Sequence, residues 1–157
     1  MSRAARRAAA ALPAAVMLSA AVLLPAASRA GEFRSIATAS ILYDAPSPQA
    51  KKLFVAPRGM PVEVVSTIRL WVKVRDASGD LAWVERDALS PQRTVLAVAA
   101  PAAAVRVAAA DGAAVVFQAE RGVVLELLEP APAPGWVRVR HADGASGFVR
   151  AVDVWGL

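Results

Sequence analysis

The sequence predicts an all-β protein, in which two tandem small β-barrels follow an N-terminal signal peptide. Three observations predict this class. A basic and then apolar leader opens the chain, a segment at Trp71 recurs at Trp136, and both copies consist of short alternating runs between turn residues. We divide the chain into a signal peptide at residues 1–30, a first repeat at 31–90 and a second repeat at 91–157.

The first thirty residues have the order of a secretory signal peptide. Basic residues precede an uncharged stretch at 8–28, and the small residues Ser28 and Ala30 stand at positions −3 and −1 of a cut before Gly31. An uncleaved membrane anchor is the alternative, because the apolar stretch is long enough to span a bilayer. Two prolines in the leader and the cleavage context favour cleavage. We therefore expect an exported protein, periplasmic or secreted, without stable membrane insertion.

The charge balance argues against a nucleic-acid partner. The leader holds four of the 18 basic residues and none of the 13 acidic ones, so residues 31–157 carry 14 basic and 13 acidic side chains. Nucleic-acid binders need a basic patch to neutralise phosphates, and the longest basic block in this part is Lys51-Lys52. The chain also contains no cysteine, which excludes thiolate metal sites and cysteine nucleophiles.

An internal repeat organises the rest of the chain. The segment Trp-Val-Lys-Val-Arg at 71–75 recurs as Trp-Val-Arg-Val-Arg at 136–140, an offset of 65. Downstream matches keep this offset and upstream matches have an offset of 63, as in Gly79 with Gly144 and Phe54 with Phe117. We assign the two extra residues to a loop at 128–135, because its prolines mark a segment where insertions are tolerated. Matched spacing on both sides indicates a duplication.

Short β-strands are expected in both repeats, because valine alternates with lysine or arginine between turn residues. The predicted strands lie at 36–42, 53–56, 61–65, 71–75 and 81–85, and at 104–108, 115–118, 123–128, 136–140 and 146–150. Ser-Gly at 78–79 and Asp-Gly at 143–144 predict two-residue hairpin turns. A helix is the alternative in the alanine-rich segment 97–114, although the valines there favour strand.

Catalytic chemistry is not expected. His141, the only histidine, stands beside Asp143 and near Ser146, which suggests a catalytic triad. All three belong to one hairpin turn, however, and a short turn does not align a nucleophile, a base and an orienting acid. A single histidine without cysteine cannot build a common zinc site. We predict no enzyme activity, no metal and no cofactor.

The strands that begin with tryptophan are the predicted binding surfaces. Side chains alternate across a strand, so if the interleaved valines face the core, each tryptophan lies on the outer face with two basic residues. The expected ligand-binding residues are Trp71, Lys73, Arg75, Trp136, Arg138 and Arg140. An exposed tryptophan flanked by cations suits a peptide or a sugar that bears carboxylates. The alternative is that both tryptophans pack at the edge of the core or between the repeats.

These segments resemble the bacterial SH3 domain family. The resemblance rests on Gly-Trp-Val-Arg-Val-Arg-His-Ala-Asp-Gly-Ala-Ser-Gly-Phe-Val-Arg at 135–150, on Arg-Gly-Val at 121–123, and on Leu-Tyr-Asp-Ala-Pro at 42–46 in the place of the opening strand. It covers residues 33–155 and occurs twice in order. It implies two small, partly open SH3-like β-barrels and an extracytoplasmic location.

Members of this family often bind cell-wall peptide or serve as targeting and interaction modules attached to wall hydrolases. The resemblance therefore implies a non-catalytic binding module whose partner is cell-wall peptide or glycan. The alternative function is a protein-interaction or structural module in a cell-envelope assembly, with an envelope protein as its partner. The oligomeric state does not follow from the sequence.

Overall fold

A computed structural model describes residues 31–157, and the predicted signal peptide at 1–30 lies outside them. The first repeat contains β1 (Glu32–Ile36), β2 (Ser40–Tyr43), β3 (Lys52–Ala56), β4 (Pro61–Ile68), β5 (Trp71–Arg75), β6 (Leu81–Glu85) and β7 (Leu89–Ser90). The second contains β8 (Thr94–Ala97), β9 (Ala102–Arg106), β10 (Val115–Glu120), β11 (Val124–Ala133), β12 (Trp136–Arg140), β13 (Ser146–Arg150) and β14 (Val154–Trp155). A 3₁₀ turn precedes the last strand of each repeat, at Arg86–Ala88 and Ala151–Asp153.

Each repeat forms one seven-stranded antiparallel sheet, and the two sheets have the same topology. The strand order is β3-β2-β6-β5-β4-β1-β7 in the first repeat and β10-β9-β13-β12-β11-β8-β14 in the second. Every strand of one sheet therefore has its counterpart seven strands along the chain in the other. This confirms the all-β class and the tandem duplication. Within residues 31–157, no helix is long and apolar enough to cross a membrane.

The alternating valines form the cores, as predicted. Val72, Val74, Val137 and Val139 are at most 4% exposed. Each repeat has its own cluster of buried aliphatic side chains, with Ile36, Leu42 and Val62 in the first. Because these side chains come from alternate positions, the intervening side chains of β5 and β12 lie on the outer faces.

The opening segment of the first repeat is two strands, so the prediction of one strand at 36–42 is wrong. The backbone turns between β1 and β2, where the N–H of Ala37 donates to the carbonyl of Ala88 and the carbonyl of Ile36 accepts from Gly59. These bonds replace the ladder of a continuous strand. In the alanine-rich segment 97–114 the structure contains strand β9 and turns, so the helix alternative is wrong there.

The insertion in the second repeat lengthens a hairpin, so the loop predicted at 128–135 is also wrong. Strand β11 has ten residues and its counterpart β4 has eight. Its pairing with β12 shifts register on both sides of Glu129, next to prolines that have no N–H to donate. The turn itself contains only Pro134 and Gly135, and Gly135 has a φ of 75°. Bulges thus absorb the prolines within a paired strand.

The hairpins after β5 and β12 are wider than the predicted two-residue turns. The N–H of Asp76 donates to the carbonyl of Asp80 at 3.0 Å, and the N–H of Gly79 donates to the carbonyl of Asp76 at 3.0 Å. Three residues therefore form the loop, with Gly79 at a φ of 93°. This geometry needs glycine at the last loop position because a Cβ disfavours the left-handed conformation. Gly144 occupies the same position, with a φ of 95°.

The two repeats pack against each other. Phe33 of β1 meets Trp155 of β14 edge to face, with ring centroids 5.1 Å apart. The Thr94 hydroxyl donates to the carbonyl of Gly59 at 2.7 Å, and the Ser35 hydroxyl donates to the carbonyl of Gln92 at 2.8 Å. Both hydroxyls belong to buried residues, so these bonds fix the position of one repeat on the other.

Candidate functional site

The outer face of β5 carries Trp71, Lys73 and Arg75, as the alternation predicts. Trp71 is half-buried, so part of its side chain remains accessible to solvent. Strand β6 lies beside β5 and places Glu85 opposite Trp71 and Trp83 opposite Lys73. The outer face therefore combines aromatic, cationic and acidic groups.

Three aromatic side chains hold this face in shape. Tyr43 of β2 is 8% exposed and meets Trp71 edge to face, with ring centroids 5.4 Å apart. Tyr43 is also paired with Trp83 across the β2–β6 ladder. The Lys73 ammonium lies 5.8 Å from the centroid of the Trp83 ring, within the range of a cation–π contact. We call Tyr43, Trp71, Trp83 and Lys73 the aromatic face.

A depression of about 280 Å³ adjoins the exposed edge of Trp71. Its lining residues come from three loops and strand ends: Pro48, Leu70, Trp71, Glu85, Arg86 and Asp87. The N–H of Arg86 donates to the carbonyl of Leu70 at 2.7 Å, and its guanidinium bonds the carbonyl of Arg69, so the 3₁₀ turn is tied to the β4–β5 hairpin. The depression thus combines the Trp71 ring with two carboxylates and the Arg86 guanidinium.

Glu85 and Asp87 are not among the predicted site residues. Glu85 directly follows the Trp-Val pair of β6 and ends the strand that lies beside Trp71, and Asp87 follows in the 3₁₀ turn. The alternation of side chains along β5 does not show which residue of a neighbouring strand lies beside Trp71. Glu85 thus lies opposite Trp71 on the neighbouring strand, whereas the predicted neighbours are the cations of its own strand.

Two of the predicted cations are held by glutamates. Arg75 bonds Glu63 at 2.7 Å, and Arg140 bonds Glu126 through Nε at 2.8 Å. Each pair spans neighbouring strands at directly opposite positions. Arg140 and the Gln92 amide hold the pKa of the Glu126 carboxyl below its usual range. Each of these two arginines therefore links two neighbouring strands of its sheet.

Trp136 is 6% exposed, so the prediction that its ring faces solvent is wrong. The residue lies on the outer face of β12, as expected, but the Arg150 guanidinium covers it at 4.8 Å from the ring centroid. Arg150 Nε in turn donates to Asp111 Oδ1 at 2.9 Å. This bond holds the pKa of Asp111 below its usual range. We call Asp111 and Arg150 the cover of Trp136.

The cover distinguishes the second repeat from the first. Arg150 stands where the first repeat has Glu85, and Arg106 stands where it has Tyr43. Arg106 donates to the carbonyl of Ala113 at 2.7 Å and so holds the loop that carries Asp111. Arg138, the remaining predicted residue, is exposed, with its guanidinium 6.0 Å from the Phe148 ring. Trp136 of the second repeat is therefore buried, whereas Trp71 of the first repeat is only half-buried.

The hairpin at His141 has the contacts of a turn. His141 Nδ1 lies 3.1 Å from Asp143 Oδ1, but the carboxylate also accepts from the N–H of Ala145 at 2.8 Å. That backbone bond is the largest cause that lowers the pKa of Asp143. No hydrogen bond joins Ser146 to His141 in the part of the chain that the structure describes. Among those residues, no cluster of histidine and acidic side chains could hold a metal ion.

Comparison with known families finds a match in both repeats. A family model described as the bacterial SH3 domain matches residues 37–91 and again residues 99–156. The two matches together cover more than half of the chain, and each contains one tryptophan-initiated strand. No curated protein matches the chain.

Several solved structures are similar to parts of the chain. NlpC2 from Trichomonas vaginalis has 10% identity and a TM-score of 0.36, over 80% of this chain and 48% of that one. NlpC1 from the same organism has 16% identity and a TM-score of 0.35, over 88% and 50%. An NlpC/P60 family protein from Bacillus cereus ATCC 10987 has 17% identity and a TM-score of 0.37, over 79% and 56%. The chain spans about half the length of these structures.

Proposed function

The chain belongs to the bacterial SH3 domain family, and on that premise we propose that it is a non-catalytic binding module that recognises cell-wall peptide or glycan. We place it outside the cytoplasm, in the periplasm or secreted, after removal of a signal peptide at 1–30. In this proposal the first repeat, at 31–90, binds the ligand. The second repeat, at 91–157, supports it.

This proposal depends on the half-buried Trp71, whose ring lines the adjoining depression. The buried Tyr43 ring holds Trp71 in one orientation, so a ligand that stacks on it need not order the side chain first. Aromatic rings offer sugar faces and apolar side chains a large contact area. Wall peptides carry both amino and carboxyl groups, which Glu85 and Lys73 can pair with respectively.

The predicted cations have different roles in this proposal. Lys73 contacts the ligand, because within residues 31–157 it forms no ion pair and lies only over the Trp83 ring. Arg75 and Arg140 keep their glutamate partners and brace the sheets. Arg138 is exposed on the second repeat, where a ligand would find Trp136 covered. Trp136 therefore serves packing, and Trp71 is the anchor.

A sedimentation assay with purified sacculi tests the proposal. The protein should pellet with sacculi, and Trp71→Ala should raise the Kd from the binding isotherm at least about tenfold, since aromatic anchors commonly contribute more than about 2 kcal/mol. Trp71→Phe should keep much of the binding, because it retains an aromatic wall. Val152→Ala is the matched control, since Val152 is 84% exposed on the second repeat.

The outcomes separate the two functions that the family suggests. Retention that depends on Trp71 supports recognition of the wall. If the protein stays in the supernatant of intact and of peptide-stripped sacculi, wall recognition is wrong, and this result favours an envelope protein as the partner. If Trp71→Ala keeps both its retention on sacculi and its circular-dichroism spectrum, the binding site does not lie on the aromatic face.

A further inference from the structure

Strand β3 forms one edge of the first sheet. In the described residues it pairs with β2 alone, from Ser40 opposite Ala56 to Tyr43 opposite Lys52. Edge strands leave a row of backbone N–H and C=O groups available to another chain. The edge of β3 is thus able to accept an additional strand.

Three of the five side chains of β3 are apolar and exposed, between the exposed Lys52 at one end of the strand and the buried Ala56 at the other. Leu53, Phe54 and Val55 are 43%, 40% and 61% exposed, and Leu81 of β6 is 45% exposed. Single exposed aliphatic residues are ordinary, but a contiguous group marks an interaction surface. Three consecutive exposed apolar residues on a free edge form such a group.

A groove of about 290 Å³ runs beside this edge. Buried Leu42 and Val74 form its floor, and Phe54 and Leu81 form its walls. We call it the edge groove. It lies at the β5–β6 hairpin and shares none of its lining residues with the depression beside Trp71.

Two carboxylates close one end of the edge groove. Asp76 Oδ1 accepts from the N–H groups of Ser78 and Asp80, at 2.8 and 3.0 Å. Neither Asp76 nor Asp80 forms an ion pair within residues 31–157, and no lysine or arginine lines the groove there. A cationic group on a ligand would form charge-assisted hydrogen bonds with these carboxylates.

The second repeat lacks the two carboxylates, although its edge strand β10 also exposes Val115 and Val116. His141 and Ala145 stand at the positions of Asp76 and Asp80, so both carboxylates are missing there. Phe117, the counterpart of Phe54, packs against the core and lies 5.6 Å from the His141 ring. The edge groove is therefore a feature of the first repeat, although both repeats share one topology.

We propose that the edge groove and β3 bind an extended apolar segment of a partner protein that carries a lysine or arginine. The segment adds to β3 as an antiparallel or parallel strand, which satisfies the free backbone groups. Its apolar side chains cover Phe54 and Leu81, and its cation pairs with Asp80. This surface is separate from the one proposed for wall ligands, so either function can fail alone.

Synthetic peptides test this proposal on the whole protein. The probe is a capped, fluorescein-labelled eight-residue peptide that alternates valine with lysine. Comparison peptides carry glutamate for lysine, or N-methyl groups on alternate backbone nitrogens. We expect the lysine peptide to bind at least about tenfold more tightly than either comparison peptide. Losing one charge-assisted hydrogen bond, or the backbone hydrogen bonds that N-methylation blocks, weakens binding by roughly that factor.

Variants and hydrogen exchange then locate the binding. Asp80→Asn should weaken the lysine peptide at least about fivefold, while Asp143→Asn, in the matching hairpin of the second repeat, should leave it unchanged. Bound peptide should slow amide exchange in β3 and leave β10 unchanged. Equal affinity for the lysine and glutamate peptides, or protection elsewhere, would overturn the proposal. So would a concentration-dependent dimer in analytical ultracentrifugation that Val55→Lys abolishes, since a second copy would then occupy the edge.

Discussion

Replacing Trp136 with alanine is expected to destabilise the protein by about 3–5 kcal/mol. The side chain is 6% exposed, and a buried tryptophan removes on the order of 200 Å² from water. At about 25 cal/mol per Å², that burial is worth about 5 kcal/mol, of which alanine keeps a small part. Loss of the Arg150 contact adds about 1 kcal/mol.

Urea unfolding followed by far-ultraviolet circular dichroism measures this loss. Trp71→Ala is the matched comparison, because Trp71 starts the equivalent strand but is only half-buried. Its free energy of unfolding should fall less, by about 1–3 kcal/mol. The difference between the two losses of stability shows how much the burial of tryptophan contributes at this equivalent position of the two repeats.

The interpretation of Trp136 as a packing residue has a clear refutation. A loss below about 1 kcal/mol for Trp136→Ala, together with lost retention on sacculi, would make it a ligand anchor. The cover formed by Asp111 and Arg150 would then open readily in solution. An equal loss of stability in both variants would show instead that the two rings are buried alike.

Three further predictions concern the cover, the contact between the repeats and a hairpin. Asp111→Asn should make the tryptophan fluorescence of the protein easier to quench with acrylamide, because it removes the anion that holds Arg150 over Trp136. Because Arg150 lowers the pKa of Asp111, the wild-type ion pair should hold above about pH 4 and be lost only as the pH falls through that lowered pKa. Phe33→Ala removes the ring that meets Trp155, and calorimetry should then resolve two unfolding transitions where the wild type shows one. Gly144→Ala places a Cβ at a φ of 95° and should cost about 1–2 kcal/mol in urea unfolding, whereas Gly112→Ala, in open space, should cost little.

Alternation along strands allowed the cores to be predicted. Val72 and Val74 are buried, and Trp71 and Lys73 lie on the other face, because side chains of a strand alternate regardless of what surrounds it. Repetition of the pattern at a fixed offset predicted the duplication. Both signals are local to a strand or internal to the sequence, so they need no knowledge of tertiary contacts.

The closure of Trp136 depends on contacts that alternation does not describe. Asp111 lies 39 residues before Arg150 along the chain, and the loop between β9 and β10 brings them together. The same limit applies to Glu85, which reaches Trp71 from a neighbouring strand. A sequence pattern shows which face a residue takes, but the exposure on that face depends on distant segments.

The prolines of the second repeat show a different limit. Proline usually marks a loop, so the prolines at 128–135 predict one there. In the structure, Pro130 and Pro132 lie within β11, where the register shifts on both sides of Glu129. A bulged pairing tolerates a missing donor, so the extra residues extend the hairpin.

The contact of Phe33 with Trp155 means that the two repeats are joined twice, once by the peptide chain at 91–93 and once by the packing of the first strand on the last. A protease cut in the short connection would break only one of these joints. The two fragments would then stay associated as a complementing pair, held by the aromatic contact and by the Thr94 and Ser35 hydroxyl bonds. Each fragment would keep a complete seven-stranded sheet.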